Sequence, residues 1–83
     1  MNPSQTIIHL RELLRDVGQR DFEDIRMDAM AYCLGSVVLS QYYFHQGLAY
    51  HKDQELVILT IEHMIRKLRS VKYRPGWRRP PQK

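Results

Sequence analysis

Residues 29–50, AMAYCLGSVVLSQYYFHQGLAY, contain no Asp, Glu, Lys or Arg, although charged residues make up 27% of the chain. Such a run fits either a membrane span or a helix that is covered on every side. A span needs about 20 predominantly apolar residues. This run includes two serines, two glutamines and two glycines, and its densest apolar stretch, MAYCLGSVVL, is 10 residues long. The composition therefore predicts a buried helix and no membrane association.

Small side chains in this run indicate close packing against a neighbour. Ala31 and Gly35 lie on one ridge at helical spacing, and Ser36 lies on another. A glycine inside a helix costs about 1 kcal/mol relative to alanine, so Gly35 suggests that something packs against it. Two amphipathic helices leave part of such a helix uncovered, and we expect a homodimer around a two-fold axis to cover the rest. The predicted dimer contacts are Ala31, Gly35, Ser36 and Val38. The alternative is a monomer in which the other helices suffice.

The spacing of apolar residues predicts an all-α, three-helix bundle-like domain over residues 1–73. The predicted helices span about residues 4–17, 21–46 and 53–73. The first apolar stripe is Ile7, Leu10, Leu14 and Val17, and the last is Val57, Ile61, Met64, Leu68 and Val71. Residues 56–61 also fit a buried strand, but the helical spacing continues beyond them and no partner strand is evident.

Capping residues mark the ends of these helices. The predicted N-caps are Ser4, Asp21 and Asp53, and the predicted glycine stops are Gly18 and Gly47. A central helix of about 25 residues is long for a globular protein, so the alternative is a break near Gly35 and Ser36. Residues 74–83 form a basic, proline-rich tail with too few apolar residues to fold alone.

Charge divides the chain into an acidic beginning and a basic end. Residues 1–28 hold four Arg and six Asp or Glu, a net charge of −2. Residues 52–83 hold nine Lys or Arg and three Asp or Glu, a net charge of +6. Such an end attracts polyanions or an acidic protein surface. The candidate cations for either partner are Arg66, Lys67, Arg69, Lys72, Arg74, Arg78 and Arg79.

Aromatic side chains form a second candidate binding feature. Tyr42, Tyr43 and Phe44 are consecutive, and successive helical residues point about 100° apart, so at least one should be exposed or lie in an interface. Tyrosine and phenylalanine are enriched at the centres of protein interfaces. Tyr73 and Trp77 lie among the basic residues, where they can contact a protein or stack on unpaired bases. All five are candidate partner-binding residues, and the alternative is ordinary packing at a helix end.

Patterns for catalysis or metal binding are weak. No two of the four histidines lie at the i, i+4 spacing that places two imidazoles on one helix face. His45 and His51 flank the loop before the last helix, and they would indicate an enzyme only if an acid joined them in a pocket. Cys33 has no adjacent base and is expected to act as a small buried hydrophobe. No catalytic residue, metal or cofactor is predicted.

The sequence therefore predicts a small, non-enzymatic regulatory or adaptor protein that binds another macromolecule. A protein partner is favoured, bound through the aromatic and basic residues in an occluding or bridging role. The alternative is a nucleic-acid-binding protein that uses the basic C-terminal part of the chain. A cytoplasmic location is predicted because the single cysteine forms no internal disulfide and the first residues lack a signal-peptide pattern.

Overall fold

The computed structural model of the chain describes residues 2–72, and these residues form an all-α fold. The elements are α1 (Pro3–Arg15), α2 (Phe22–Gly35), a 3₁₀ turn (Leu39–Gln41), α3 (Phe44–Tyr50) and α4 (Gln54–Lys72). The predicted tail at residues 74–83 lies outside the described residues, and so does residue 73, the last residue of the third predicted helix. No helix within residues 2–72 is both long and apolar enough to cross a membrane.

The start of α1 lies earlier than the sequence suggested. Asn2 is the N-cap, and its side chain accepts a hydrogen bond of 2.9 Å from the backbone N–H of Gln5. Pro3 occupies the first turn, where its missing N–H carries no cost. The prediction of Ser4 as the cap is therefore wrong. Asn2, two residues earlier, accepts the hydrogen bond from an N–H of the first turn that has no partner within the helix.

Two other predicted caps and one glycine stop are confirmed. Asp21 accepts from the backbone N–H of Glu23 at the start of α2, and Asp53 accepts from that of Glu55 at the start of α4. Gly18 has a φ of 88° in the turn after α1. Only glycine adopts this left-handed conformation without a steric cost, which explains its place there.

The prediction of one continuous helix over residues 21–46 is wrong. α2 ends at Gly35, and Ser36 is extended, with φ −104° and ψ 125°. The Ser36 hydroxyl then accepts a hydrogen bond of 3.2 Å from the backbone N–H of Leu39, which starts the 3₁₀ turn. Glycine is a poor helix former, and a serine side chain that bonds to nearby backbone competes with helical pairing. The chain therefore folds back after α2.

Gly47 does not stop a helix, contrary to the prediction, because it lies inside α3. The imidazole of His51 packs beside it, and a Cβ added at Gly47 would lie 3.3 Å from His51 Nε2. Because Gly47 has no side chain, the imidazole of His51 at the end of α3 can pack against this turn of the helix.

The hydrophobic core lies between two helix pairs. α1 packs mainly along α4, while α2 packs mainly on α3. The buried apolar residues are Ile7, Leu10, Leu13, Ile25, Ala29, Cys33, Leu39, Leu48, Val57, Ile61, Met64, Ile65 and Leu68. The predicted stripe of α4 is fully buried from Val57 to Leu68, and Val71 is half-buried. Leu14 in α1 and Val17 in the turn after it lie at the half-buried edge of the core.

Arg26 joins α2 to the end of α3. Its Nη1 donates to the carbonyl oxygens of Leu48 and Ala49 at 3.2 and 3.0 Å, and its guanidinium also pairs with Glu23. The last carbonyls of a helix lack intrahelical partners, so a half-buried arginine satisfies them and complements the negative end of the helix dipole. This contact helps to fix the direction of α3, which carries Phe44.

The fold-back of the chain after α2 explains part of the uncharged run, residues 29–50. Its buried members are Ala29, Cys33, Ser36, Leu39 and Leu48. Several large members remain exposed, namely Leu34, Val37, Tyr43 and Tyr50. One chain therefore covers one side of the run and leaves apolar surface on the other.

Candidate functional site: a basic–aromatic groove

Four polar side chains form a stripe along the C-terminal half of α4. His63, Arg66, Lys67 and Ser70 are spaced by three, one and three residues, which places them on one helix face. All four are exposed. The opposite face of α4 carries the buried residues, so this stripe is the solvent side of an amphipathic helix.

The fold-back after α2 brings two aromatic residues to this stripe. Tyr42 follows the 3₁₀ turn and Phe44 begins α3, with their ring centroids 5.7 Å apart and the rings tilted by 50°. Lys67 Nζ lies 4.9 Å from the centroid of the Tyr42 ring. This distance is within the range of a cation–π interaction, so the tyrosine ring holds the lysine ammonium in place.

A cavity of about 360 Å³ lies between α4 and the start of α3. Its lining residues are Phe44, His63, Arg66, Lys67 and Ser70. We call this cavity, together with the supporting ring of Tyr42, the basic–aromatic groove. It unites aromatic and basic residues that are more than 20 positions apart in the sequence.

The lining of the groove suits an anion with an apolar group beside it. Arg66 offers a planar fork of N–H donors, Lys67 an ammonium and Ser70 a hydroxyl. Phe44 is half-buried and supplies an apolar wall. Within the described residues no carboxylate lines the groove, so nothing there neutralises the two cations.

Some predicted site residues lie elsewhere. Tyr43 is 78% exposed and does not line the groove, and Arg69 is exposed on α4 outside the lining. Lys72 is the last residue of α4. The remaining predicted contacts lie outside the described residues, and these are Tyr73, Arg74, Trp77, Arg78 and Arg79.

His63 and Ser70 are groove residues that the sequence analysis did not single out. Their signal was the spacing of both residues to Arg66 and Lys67, which places all four on one helix face. A linear run of basic residues does not indicate this face, because a helix face selects every third or fourth position.

The predicted dimer contacts divide into two groups. Ala31 and Gly35 are exposed, and a Cβ added at Gly35 would meet no atom within 4 Å. Ser36 is buried in its own chain and caps the 3₁₀ turn, while Val38 is half-buried against the core. Two larger apolar residues of α2 are also exposed, Met27 by 60% and Leu34 by 58%.

Cys33 is fully buried, with its Sγ 3.9 Å from the carbonyl oxygen of Leu39. Burial raises the pKa of this thiol, an effect that the backbone of His45 partly offsets. A buried thiol with a raised pKa is a poor nucleophile. His45 and His51 belong to no group of three or more potential metal ligands in the part of the chain that the structure describes.

Comparison of the chain with known protein families, with curated proteins and with solved structures gave no match.

Proposed function

We propose that this protein is a small regulatory or adaptor protein that binds an acidic segment of a protein partner in the basic–aromatic groove. The observation that carries the proposal is the convergence of Phe44 and the Tyr42–Lys67 pair with Arg66 on one cavity. An apolar anchor beside fixed cations is the combination that protein interfaces use for affinity and orientation. Binding would occlude the partner segment or bridge it to a second molecule.

A protein partner fits the aromatic residues better than a nucleic acid does. Stacking on a base needs an exposed ring face. The ring of Tyr42 faces the ammonium of Lys67, and both Tyr42 and Phe44 are half-buried. The ring of Tyr42 therefore supports the groove and Phe44 alone lines it, whereas single-stranded nucleic acid stacks successive bases on several exposed rings.

Affinity capture with matched charge variants tests this function. The baits are the wild-type chain, Arg66→Glu/Lys67→Glu in the groove, and Arg11→Glu/Arg15→Glu on the exposed side of α1. The two double variants change the net charge equally. We expect the groove variant, but not the α1 variant, to lose acidic protein partners from a nuclease-treated lysate.

The nucleic-acid alternative predicts a different result. Capture would then disappear on nuclease treatment, and binding of a labelled single-stranded oligonucleotide would weaken log-linearly with salt. Equal loss of partners in both charge variants would show that net charge alone attracts them, and it would overturn the assignment of the groove.

The predicted homodimer is a separate proposal that concerns α2. Its exposed apolar positions Met27, Ala31 and Leu34 are spaced by four and three residues, so they share one helix face. Together with the open space at Gly35, this face suits a second copy of the chain. Ser36 is buried within its own chain and is not part of this surface. Light scattering tests the proposal, since a dimer has twice the 10.0 kDa mass of the chain.

A further inference from the structure

The number and charge of the donors in the groove restrict the kinds of anion that can match them. Arg66 and Lys67 each carry a full positive charge, and the described lining contains no acid. A single carboxylate would leave one of the two charges unmatched. A phosphate monoester carries about −1.5 to −2 charges at pH 7 and three acceptor oxygens. Its charge therefore matches that of the two cations.

The donors also match a phosphate group in kind. The arginine fork binds two phosphate oxygens in parallel, and the ammonium binds as a point charge. On the same helix face, Ser70 lies one turn after this pair, at i+4 from Arg66 and i+3 from Lys67, and His63 lies one turn before it. The Ser70 hydroxyl offers a further donor for a third oxygen.

The cavity is larger than a phosphate group alone. It is an open groove of about 360 Å³, which leaves room beside the phosphate for the organic group that carries it. Phe44 forms an apolar wall beside the cations, where an aromatic ring attached to the phosphate would pack.

From these features we infer that the basic–aromatic groove binds an aryl phosphate, namely a phosphorylated tyrosine side chain of the partner protein. This inference rests on the proposed function and adds the requirement that the bound segment is phosphorylated. The phosphate pairs with Arg66, Lys67 and Ser70, and the ring lies against Phe44. Phosphorylation of the partner would then switch binding on, because it creates the dianion that the groove matches.

Titration of the full chain with phenyl phosphate, followed by amide chemical shifts, tests the inference. Inorganic phosphate, benzoate and an unphosphorylated acidic peptide containing tyrosine serve as comparison probes at constant ionic strength. We expect phenyl phosphate to bind saturably, with shifts centred on residues 44 and 63–70, and at least about tenfold more tightly than benzoate. Inorganic phosphate should bind more weakly than phenyl phosphate, because it lacks the ring.

Variants assign the effect to the groove. Arg66→Gln should weaken the binding of phenyl phosphate about tenfold or more, since it removes a charge-assisted pair. Phe44→Leu should weaken phenyl phosphate but leave inorganic phosphate unchanged. Arg11→Gln on α1 is the matched control and should bind like wild type. Retention of the wild-type amide spectrum in each variant shows that the fold is intact.

The possible failures are distinguishable. If the unphosphorylated peptide binds in the groove as tightly as phenyl phosphate, the phosphate requirement is overturned while the proposed function stands. If a single-stranded oligonucleotide binds there and phenyl phosphate does not, both are overturned. Equal affinity for phenyl phosphate and inorganic phosphate would overturn the role of the aromatic ring.

Discussion

Lys67 Nζ lies 4.9 Å from the centre of the Tyr42 ring, which couples α4 to the segment that follows the 3₁₀ turn. Because both residues border the groove, this pair sets the position of one of its two cations. A lysine held over a ring loses less freedom when it binds an anion than one that moves freely in water. The pair is a tertiary contact, and it would also preorganise Lys67 for the anion binding that we propose.

A double-mutant cycle measures this coupling. Lys67→Met and Tyr42→Leu should each destabilise the fold slightly, and the double variant should reveal a coupling of about 0.5–1 kcal/mol for a partly exposed cation–π pair. Urea unfolding provides the free energies. Tyr42→Phe keeps the ring and should retain most of the coupling to Lys67. Strictly additive effects of the two substitutions would contradict the contact.

Arg26 provides a second long-range contact that can be tested. Arg26→Met keeps much of the side-chain volume but leaves the carbonyl groups of Leu48 and Ala49 without their donor. We expect a loss of about 1–3 kcal/mol in the free energy of unfolding, because hydrogen bonds from a charged donor are removed at a half-buried site. Hydrogen exchange should show the amides of α3 losing the most protection.

Arg20→Met is the matched control for this prediction. Arg20 forms ion pairs with Asp16 and Asp28, and these side chains are 37%, 40% and 47% exposed, whereas that of Arg26 is 16% exposed. Exposed pairs of this kind contribute less than about 1 kcal/mol. If both arginine variants lost the same stability, the structural role of Arg26 in fixing α3 would be wrong.

The sequence predicted the features that depend on local pattern. The periodic burial of α4 and the caps at Asp21 and Asp53 follow from spacing and short-range hydrogen bonding, and both are confirmed. The sequence indicates the end of α2 only as an alternative, because Gly35 and Ser36 lower helix stability without excluding a helix. Whether these two residues end the helix depends on whether the residues that follow them can be buried elsewhere in the fold.

The basic–aromatic groove itself depends on contacts that no local pattern encodes. Phe44 reaches α4 because α3 has a fixed direction, and Arg26 helps to set that direction across 22 residues of sequence. The aromatic cluster and the cations of α4 were each recognised as candidate binding residues. Their convergence could not be read from spacing, since it follows from the break after α2 and from the packing of α3.

Burial of Cys33 predicts a pH dependence of stability. Because the pKa of the thiol is raised in the folded state, the folded protein keeps this proton at a pH where the unfolded chain has lost it. The contribution of this thiol to the free energy of unfolding is therefore complete below the unfolded pKa, about 8.5, and it decreases as the pH rises above that value. The fall attributable to this group is at most about 1.4 kcal/mol for each pH unit.

The variant Cys33→Ala separates this effect from other groups that titrate at high pH. It should be less stable than wild type at pH 7, because it loses buried volume. Its stability should nevertheless decline less steeply between pH 8 and 10, as measured by urea unfolding at each pH. Parallel declines in the two proteins would show that Cys33 does not contribute.

Gly35 and Gly18 form a pair of glycines that differ in one physical property. A Cβ added at either position meets no atom within 4 Å, but only Gly18 has a positive φ, of 88°. Gly18→Ala should therefore destabilise the protein by about 1–2 kcal/mol through backbone strain. Gly35→Ala should stabilise the monomer by about 0.4–1 kcal/mol, because alanine restricts the unfolded chain and favours helix.

The same Gly35 variant tests the proposed homodimer, provided that unfolding and mass are measured over a range of protein concentrations. If a second copy packs closely on α2, the added methyl group enters the contact and shifts the mass from twice 10.0 kDa towards the monomer. Ala49→Ser, an exposed change on α3, is the control and should leave the mass unchanged. A stabilised Gly35→Ala chain that dimerises as tightly as wild type would place the dimer contact away from Gly35.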